Sequence, residues 1–270
     1  MNATPRTAPP APAGDPHADS DKRRTGSGSD PGFSERHRAR EAILLRIGGV
    51  GAVLGTIFQV VAGTSQSMLL GGGAEVTLGS LAGQPDWLWP AAYLGFVFGA
   101  LLWVGALVAL ASTLIEGAAW ALGRLAVASV IVGVSLHAVD GALNGVGLAG
   151  LANAWAAAEE GERPALEQNG DLLLRILDGT WAGVITLFHG VPFVLAGLAV
   201  ALSERFPAWL GWLGFIGGAG SVIIGVAMFF GAASAGLAVP FAVILSLFMV
   251  ILGWLMWVES DTGVDRSARS

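Results

Sequence analysis

The chain has 270 residues, 54% of them hydrophobic and 13% charged, with a mean hydropathy of +0.66, so it has too few charges to cover a water-soluble globule and most of it must face lipid or other helices. Its formal net charge of −6 excludes a nucleic-acid partner, which requires a basic face. With no cysteine, disulfides, thiolate catalysis, iron–sulfur clusters and cysteine-ligated zinc are excluded, and the redox compartment cannot be read.

Residues 1–41 are rich in Pro, Ser, Asp, Arg and Gly, with almost no large apolar side chain before Phe33. Such a segment cannot bury enough surface to offset the entropy of ordering and is expected to be a disordered tail. The first apolar run begins at Ala42, too far from the start and too long for a secretory signal, and further spans follow it. Apolar segments fall at 42–63, 89–112, 121–147, 174–202, 208–230 and 238–258, each near or above the ~20 residues a helix needs to cross ~30 Å of hydrocarbon. They are continuous, unlike the short alternating segments of a transmembrane barrel. The fold class is therefore all-α: a polytopic membrane protein, a bundle of six transmembrane helices over 42–258, flanked by tails at 1–41 and 259–270. Gly51 with Gly55, Gly95 with Gly99, Gly141 with Gly145 and Gly214 with Gly218 are small-xxx-small pairs that let backbones approach closely. The run Ile47–Val53 echoes Ile216–Val222 in the fifth span, which reads as shared packing demand rather than duplication.

Orientation follows from the basic residues. Lys22, Arg23, Arg24, Arg36, Arg38 and Arg40 precede the first span, and Arg124, Arg205, Arg266 and Arg269 lie on the same side. The opposite loops, 64–88, 157–171 and 231–237, contain Arg163 alone, among Glu159, Glu160, Glu162, Glu167 and Asp171. The positive-inside rule then makes both tails cytoplasmic. Lys22 is the single lysine among 14 basic residues, and Ala and Gly dominate, a bias of GC-rich genomes; the expected location is the plasma (inner) membrane of a bacterium. Trp87, Trp89 and Trp155 near the outer ends, and Trp120, Trp209, Trp212 and Trp257 near the inner ends, are placed in aromatic belts.

Ionisable groups deep in a span cost ~2.5–3.5 kcal/mol each on insertion scales, and here they concentrate in the third and fourth spans. His137, Asp140 and Asn144 recur at i, i+3 and i+7 on one helical face, and Thr186 and His189 share a face at i, i+3. Counted from the inner boundaries, both histidines lie about 20 Å deep and Asp140 about a turn further out. The two spans are sequential and antiparallel, so a compact cluster of His137, Asp140 and His189 is expected between them. Pro192 removes the helical donor for the Phe188 carbonyl and adds a polar, kinked spot beside His189. Asp178 and Arg175 form an i, i+3 pair at the outer start of the fourth span, expected to be interfacial, and Arg46 is expected to snorkel to headgroups.

The cluster supports three readings. In the first, Asp140 accepts from the histidines and locks the two spans together. In the second, a carboxylate flanked by imidazoles takes up and releases protons or binds a small molecule, as in a transporter. In the third, His137, Asp140 and His189 hold zinc or iron with an open position. A haem between His137 and His189 is also conceivable, though no redox domain accompanies it. No HExxH, GxSxG, Walker A or dinucleotide motif is present, and no lysine lies in a span; Ser135 near His137 keeps a hydrolase open, and cofactor and catalytic residues stay unassigned.

The stretch Phe206-Pro207-Ala208-Trp209-Leu210-Gly211-Trp212-Leu213-Gly214, which opens the fifth span after a short basic loop, resembles one in uncharacterised bacterial six-span membrane proteins grouped as a domain of unknown function. The apolar start of the first span is similar too, and the resemblance covers roughly 42–258. It implies a six-span bundle and supplies no site residues. The function expected is that of a small transporter or a sensory or accessory membrane subunit, with a binding set of His137, Asp140, Asn144, Thr186 and His189. The alternative is a metal-dependent, hydrolase-like membrane enzyme using His137, Asp140 and His189. Expected partners are membrane lipid and a small-molecule or proton ligand, with oligomerisation left open.

Overall fold

The computed structural model describes the backbone of residues 31–69 and 73–267 and the side chains of 39–64 and 73–261. The chain divides into two units, Met1–Arg38 and Ala39–Ser270. The expected disordered tail falls mainly on residues 1–30, outside the described residues; from Pro31 the backbone is helical, ahead of the apolar run at Ala42. Everything below concerns the second unit.

Among the described residues seven helices follow in order: α1 (Pro31–Leu69), α2 (Ala74–Ala82), α3 (Leu88–Thr113), α4 (Gly117–Ala157), α5 (Arg163–Ala201), α6 (Ala208–Phe229) and α7 (Val239–Ser267). Among the described residues there is no strand. Six stretches, Ala39–Thr64 of α1, all of α3, α4, α5 and α6, and Ala235–Asp261 with α7, are long and apolar enough to cross a membrane. The protein is thus an all-α, six-span bundle. Gly117, at φ 65°, adopts the left-handed backbone that reverses the chain between α3 and α4, a conformation other residues reach only with strain.

Helix α5 is the core element. Its most apolar window is 61% buried, against 22% for that of α7. Phe188 and Phe193 of α5 meet Trp103 of α3, and Phe193 also meets Phe248 of α7. Close approach to α4 and α6 depends on absent side chains: a Cβ on Gly133 of α4 would strike the Leu187 carbonyl of α5, and one on Gly225 of α6 would strike Thr186. Gly55 and Gly99 face one another where α1 crosses α3, while Gly51 meets the Leu102 carbonyl and Gly95 the Phe58 ring, a close approach that small residues allow. Helices α1 and α7 also touch, with Gly49 and Gly253 each 2.7–2.8 Å, measured from an added Cβ, from the other's carbonyl oxygen.

Helices α4 and α5 run for 41 and 39 residues, about 60 Å each and twice the ~30 Å hydrocarbon thickness. Their linked ends therefore extend beyond the bilayer as a helical hairpin, where α2 packs against them. Leu78 and Leu81 of α2 join Trp89, Tyr93, Leu148, Ala152 and Leu177 in a core cluster of their own, and Asp171 accepts a hydrogen bond from the Ala74 N–H at 3.3 Å. Two expected loops are thereby corrected. The 64–88 connection contains α2, and most of 157–171 is the first turns of α5. Residues 163–171 intersperse Arg163, Glu167, Asn169 and Asp171 with few large apolar side chains, a pattern that escapes a search for continuous apolar runs.

Two expected belt residues are corrected for the same reason. Trp89 is buried and donates from Nε1 to the Asn144 carbonyl at 2.9 Å. Trp155 donates to Glu167 at 3.0 Å and stacks under Arg163. Trp87, Trp209 and Trp212 are exposed.

Ion pairs tie the opposite end of the bundle, where α1 enters and α7 leaves. Arg205, between α5 and α6, reaches Glu41 at 2.7 Å, Glu259 at 2.6 Å and the Thr113 carbonyl at 3.4 Å. Arg46 pairs with Asp261 at 2.7 Å, a partner the snorkelling expectation lacked.

Candidate functional site

Helix α4 delivers His137, Asp140 and Asn144 to one buried face, and α5 brings His189 to the same level. The imidazoles of His137 and His189 lie 6.4 Å apart, at 87°. Both helices widen here into π turns, Leu143–Leu148 in α4 and Ile185–Gly190 in α5. The second has a sequence cause: Pro192 has no N–H to give the Phe188 carbonyl, and the Val191 N–H bonds back to Thr186 instead, so the turn expands.

Asp140 does not pair with either histidine. Its Oδ1 accepts from Thr180 of α5 at 2.6 Å, and its Oδ2 accepts from Nδ2 of Asn144 at 3.2 Å. His137 stacks on Phe188 at 5.2 Å and 14°, and meets Phe96 at 4.4 Å. Neither ring nitrogen of His137, nor Nδ1 of His189, makes a hydrogen bond of good geometry; the carbonyls of Phe96 and Val184 are the acceptors that approach the two rings. The expected carboxylate–imidazole lock is thus corrected to a Thr180–Asp140–Asn144 lock. Among the described residues no three His, Asp or Glu side chains come together to hold a metal ion. The physical reason is the aromatic packing, which turns His137 against Phe188 and Phe96 and away from the carboxylate.

Thr186 also leaves the cluster. Its hydroxyl donates to the Ala182 carbonyl of its own helix at 2.9 Å and packs at Gly225 of α6. Residues three apart share a face in an α-helix, but the wider π turn rotates Thr186 and His189 apart.

Beside His189 lies a cavity of about 680 Å³. On α5 it is lined by Asp178, Trp181, Ile185 and His189, a stripe at spacings of three and four that marks one helical face. Asp178 and Arg175 are both exposed, and among the described residues no ion pair joins them. Across the cavity stand Gln59 and Thr64 of α1, Ser221 of α6 and Ser246 of α7. Trp103 forms part of the floor and meets His189 edge-on at 6.1 Å; Trp181 meets it at 6.4 Å.

Sequence reasoning missed Gln59, Trp103, Thr180 and Trp181. A signal existed for two of them: Gln59 is an amide inside an apolar run, and Trp103 stands mid-span, where interfacial belts do not place tryptophan. Compared with protein families, with curated proteins and with solved structures, the chain matches none.

Proposed function

We propose that this chain is a non-enzymatic protein of a bacterial inner membrane, with cytoplasmic termini, that admits a small ligand to the cavity beside His189 as a small transporter or as a sensory or accessory subunit. The observation that supports this reading is the cavity itself. Its volume of about 680 Å³ falls within the ~300–1,000 Å³ of ligand pockets, and its wall has the expected make-up, aromatic with a few convergent polar groups. A fully packed Thr180–Asp140–Asn144 lock would need no such space. The enzyme alternative lacks comparable support, because His137, Asp140 and His189 do not converge as ligands.

The chain has no cysteine, so single cysteines report access directly. Ser246→Cys and Ser221→Cys, both on the cavity wall, are expected to react with a small charged methanethiosulfonate reagent in membranes, while Leu247→Cys on the exposed apolar face stays unreactive. Reaction from the hairpin side alone supports a binding or sensory role, and reaction from each side in turn supports transport. Protection of both serine positions would end the proposal.

A further inference from the structure

The cavity beside His189 is open along one side, between α1 and α7. Val60 of α1 and Val239 and Val243 of α7 line it and are 53%, 58% and 54% exposed. All three lie inside stretches long and apolar enough to cross a membrane, Ala39–Thr64 and Ala235–Asp261, so the medium that meets these lips is hydrocarbon. A Cβ added at Gly63, also on the wall, would meet nothing within 4 Å among the described residues. From the lips the space reaches inward to Trp181 and Ile185 of the core helix α5.

The accessible wall is graded in polarity. Thr64 of α1 and Asp178 of α5, both exposed, line the hairpin-side end. Val60 lies about 6 Å further in along α1, and on α7 the exposed lining is Val239, Ala242 and Val243. No charged residue occurs from Phe206 to Val258, so nothing charged on α6, α7 or their connection bars the way from the bilayer. Water in such a space would need about two to four polar partners per molecule, which a wall of valine and alanine does not give. In lipid no hydrophobic force closes a gap between helices, and packing decides what fills it.

From this we infer that the cavity takes a single-chain amphiphile, which enters sideways from the hairpin-side leaflet between α1 and α7. The inference rests on reading the cavity as a ligand site and adds the class of ligand and its route. The chain lies between the valine lips against Trp181, and the head group stays at the end marked by Thr64 and Asp178. A volume of about 680 Å³ suits one chain with a compact head, since drug-sized ligands occupy ~300–1,000 Å³, and leaves ordinary two-chain lipid as the surrounding solvent.

The full chain in nanodiscs of two-chain phosphatidylcholine tests this with lysophosphatidylcholine carrying a diazirine near the end of its chain. Cross-links mapped by mass spectrometry are expected to concentrate on Val60 and on 239–246, and to spare Ile216 and Ile223, which are exposed on α6 and outside the cavity lining. Even labelling of all these positions shows annular lipid only and overturns the proposal. Ala242→Trp and Val243→Trp, both at exposed lining positions, are expected to remove the Val60 cross-link with an unchanged melting temperature. A folded variant of either kind that keeps that cross-link in full overturns the route. Unlabelled lysophosphatidylcholine, at about ten times its half-saturating concentration, is expected to slow the reaction of Ser246→Cys with the charged methanethiosulfonate about tenfold. If Ser246→Cys reacts and its rate ignores the lysolipid, the class is wrong and the cavity reading stands; if Ser246→Cys and Ser221→Cys are both protected before any lysolipid is added, the cavity reading has failed first.

Discussion

Arg205 shows how one side chain can join distant parts of a membrane bundle. Burial alone would lower the pKa of its guanidinium, but hydrogen bonding and charge from Glu41 and Glu259 outweigh this and raise it above the ordinary value. Arg205→Ala leaves two carboxylates facing each other and the Thr113 carbonyl without its donor. The expected loss is about 1–3 kcal/mol, read as a lower melting temperature in detergent. Arg46→Ala breaks a pair whose side chains are 47% and 54% exposed, and exposed pairs contribute at most about 1 kcal/mol. Equal losses for the two variants would show that burial gives Arg205 no special weight. The same contrast holds inside the bundle. Thr180→Val strands Oδ1 of Asp140 and is expected to cost about 1–3 kcal/mol. Thr186→Val removes only a bond within its own helix and is expected to change stability by less than about 0.5 kcal/mol. Equal effects at the two threonines would remove the lock from the account.

Helix pairs add constraints that no single residue carries. Where α6 crosses the π turn of α5, a Cβ on Gly225 would meet the Thr186 hydroxyl and lie 2.9 Å from the Ala182 carbonyl. Gly225→Ala is therefore expected to cost about 1–3 kcal/mol by overpacking. In a Thr186→Ala background part of that loss should return, a coupling visible in a double-mutant cycle; strict additivity would mean that the two positions do not touch. This crossing also marks how far the sequence could be read. The six spans were legible because lipid demands long continuous apolar runs, and His137, Asp140 and Asn144 stood out as polar residues within one. Helix α2 and the first turns of α5 were illegible to that test, because they pack on one face outside the hydrocarbon. The π turns leave no periodic trace in the sequence, so Thr186 was grouped with His189 and Thr180 was overlooked. The aromatic stacking that separates His137 from Asp140 depends on Phe188 and Phe96, from two other helices, and no spacing rule within α4 contains it.

At the scale of the molecule, the ion pairs at one end and the α4–α5 hairpin at the other make the bundle asymmetric along its axis. Gly161 lies at the hairpin tip with open space where a side chain would go, and Glu204 is exposed in the opposite loop. In intact cells a membrane-impermeant maleimide is expected to label Gly161→Cys at once and Glu204→Cys only after permeabilisation. The reverse pattern would invert the orientation.

The contact between Gly49 and Gly253 has a mechanical consequence for the cavity. Helices α1 and α7 come together there at glycine backbone, with Ala52 and Val53 alongside, then flank the cavity further along, through Gln59 and Val60 on one and Val239 and Val243 on the other. Any tilt of α7 against α1 would have this crossing as its geometric pivot. Val239 stands fourteen residues from it, a lever arm of about 21 Å. A rocking of only ten degrees about the glycines would displace the rim at Val239 by about 4 Å, wide enough to change which molecules pass while the ion-paired end barely moves.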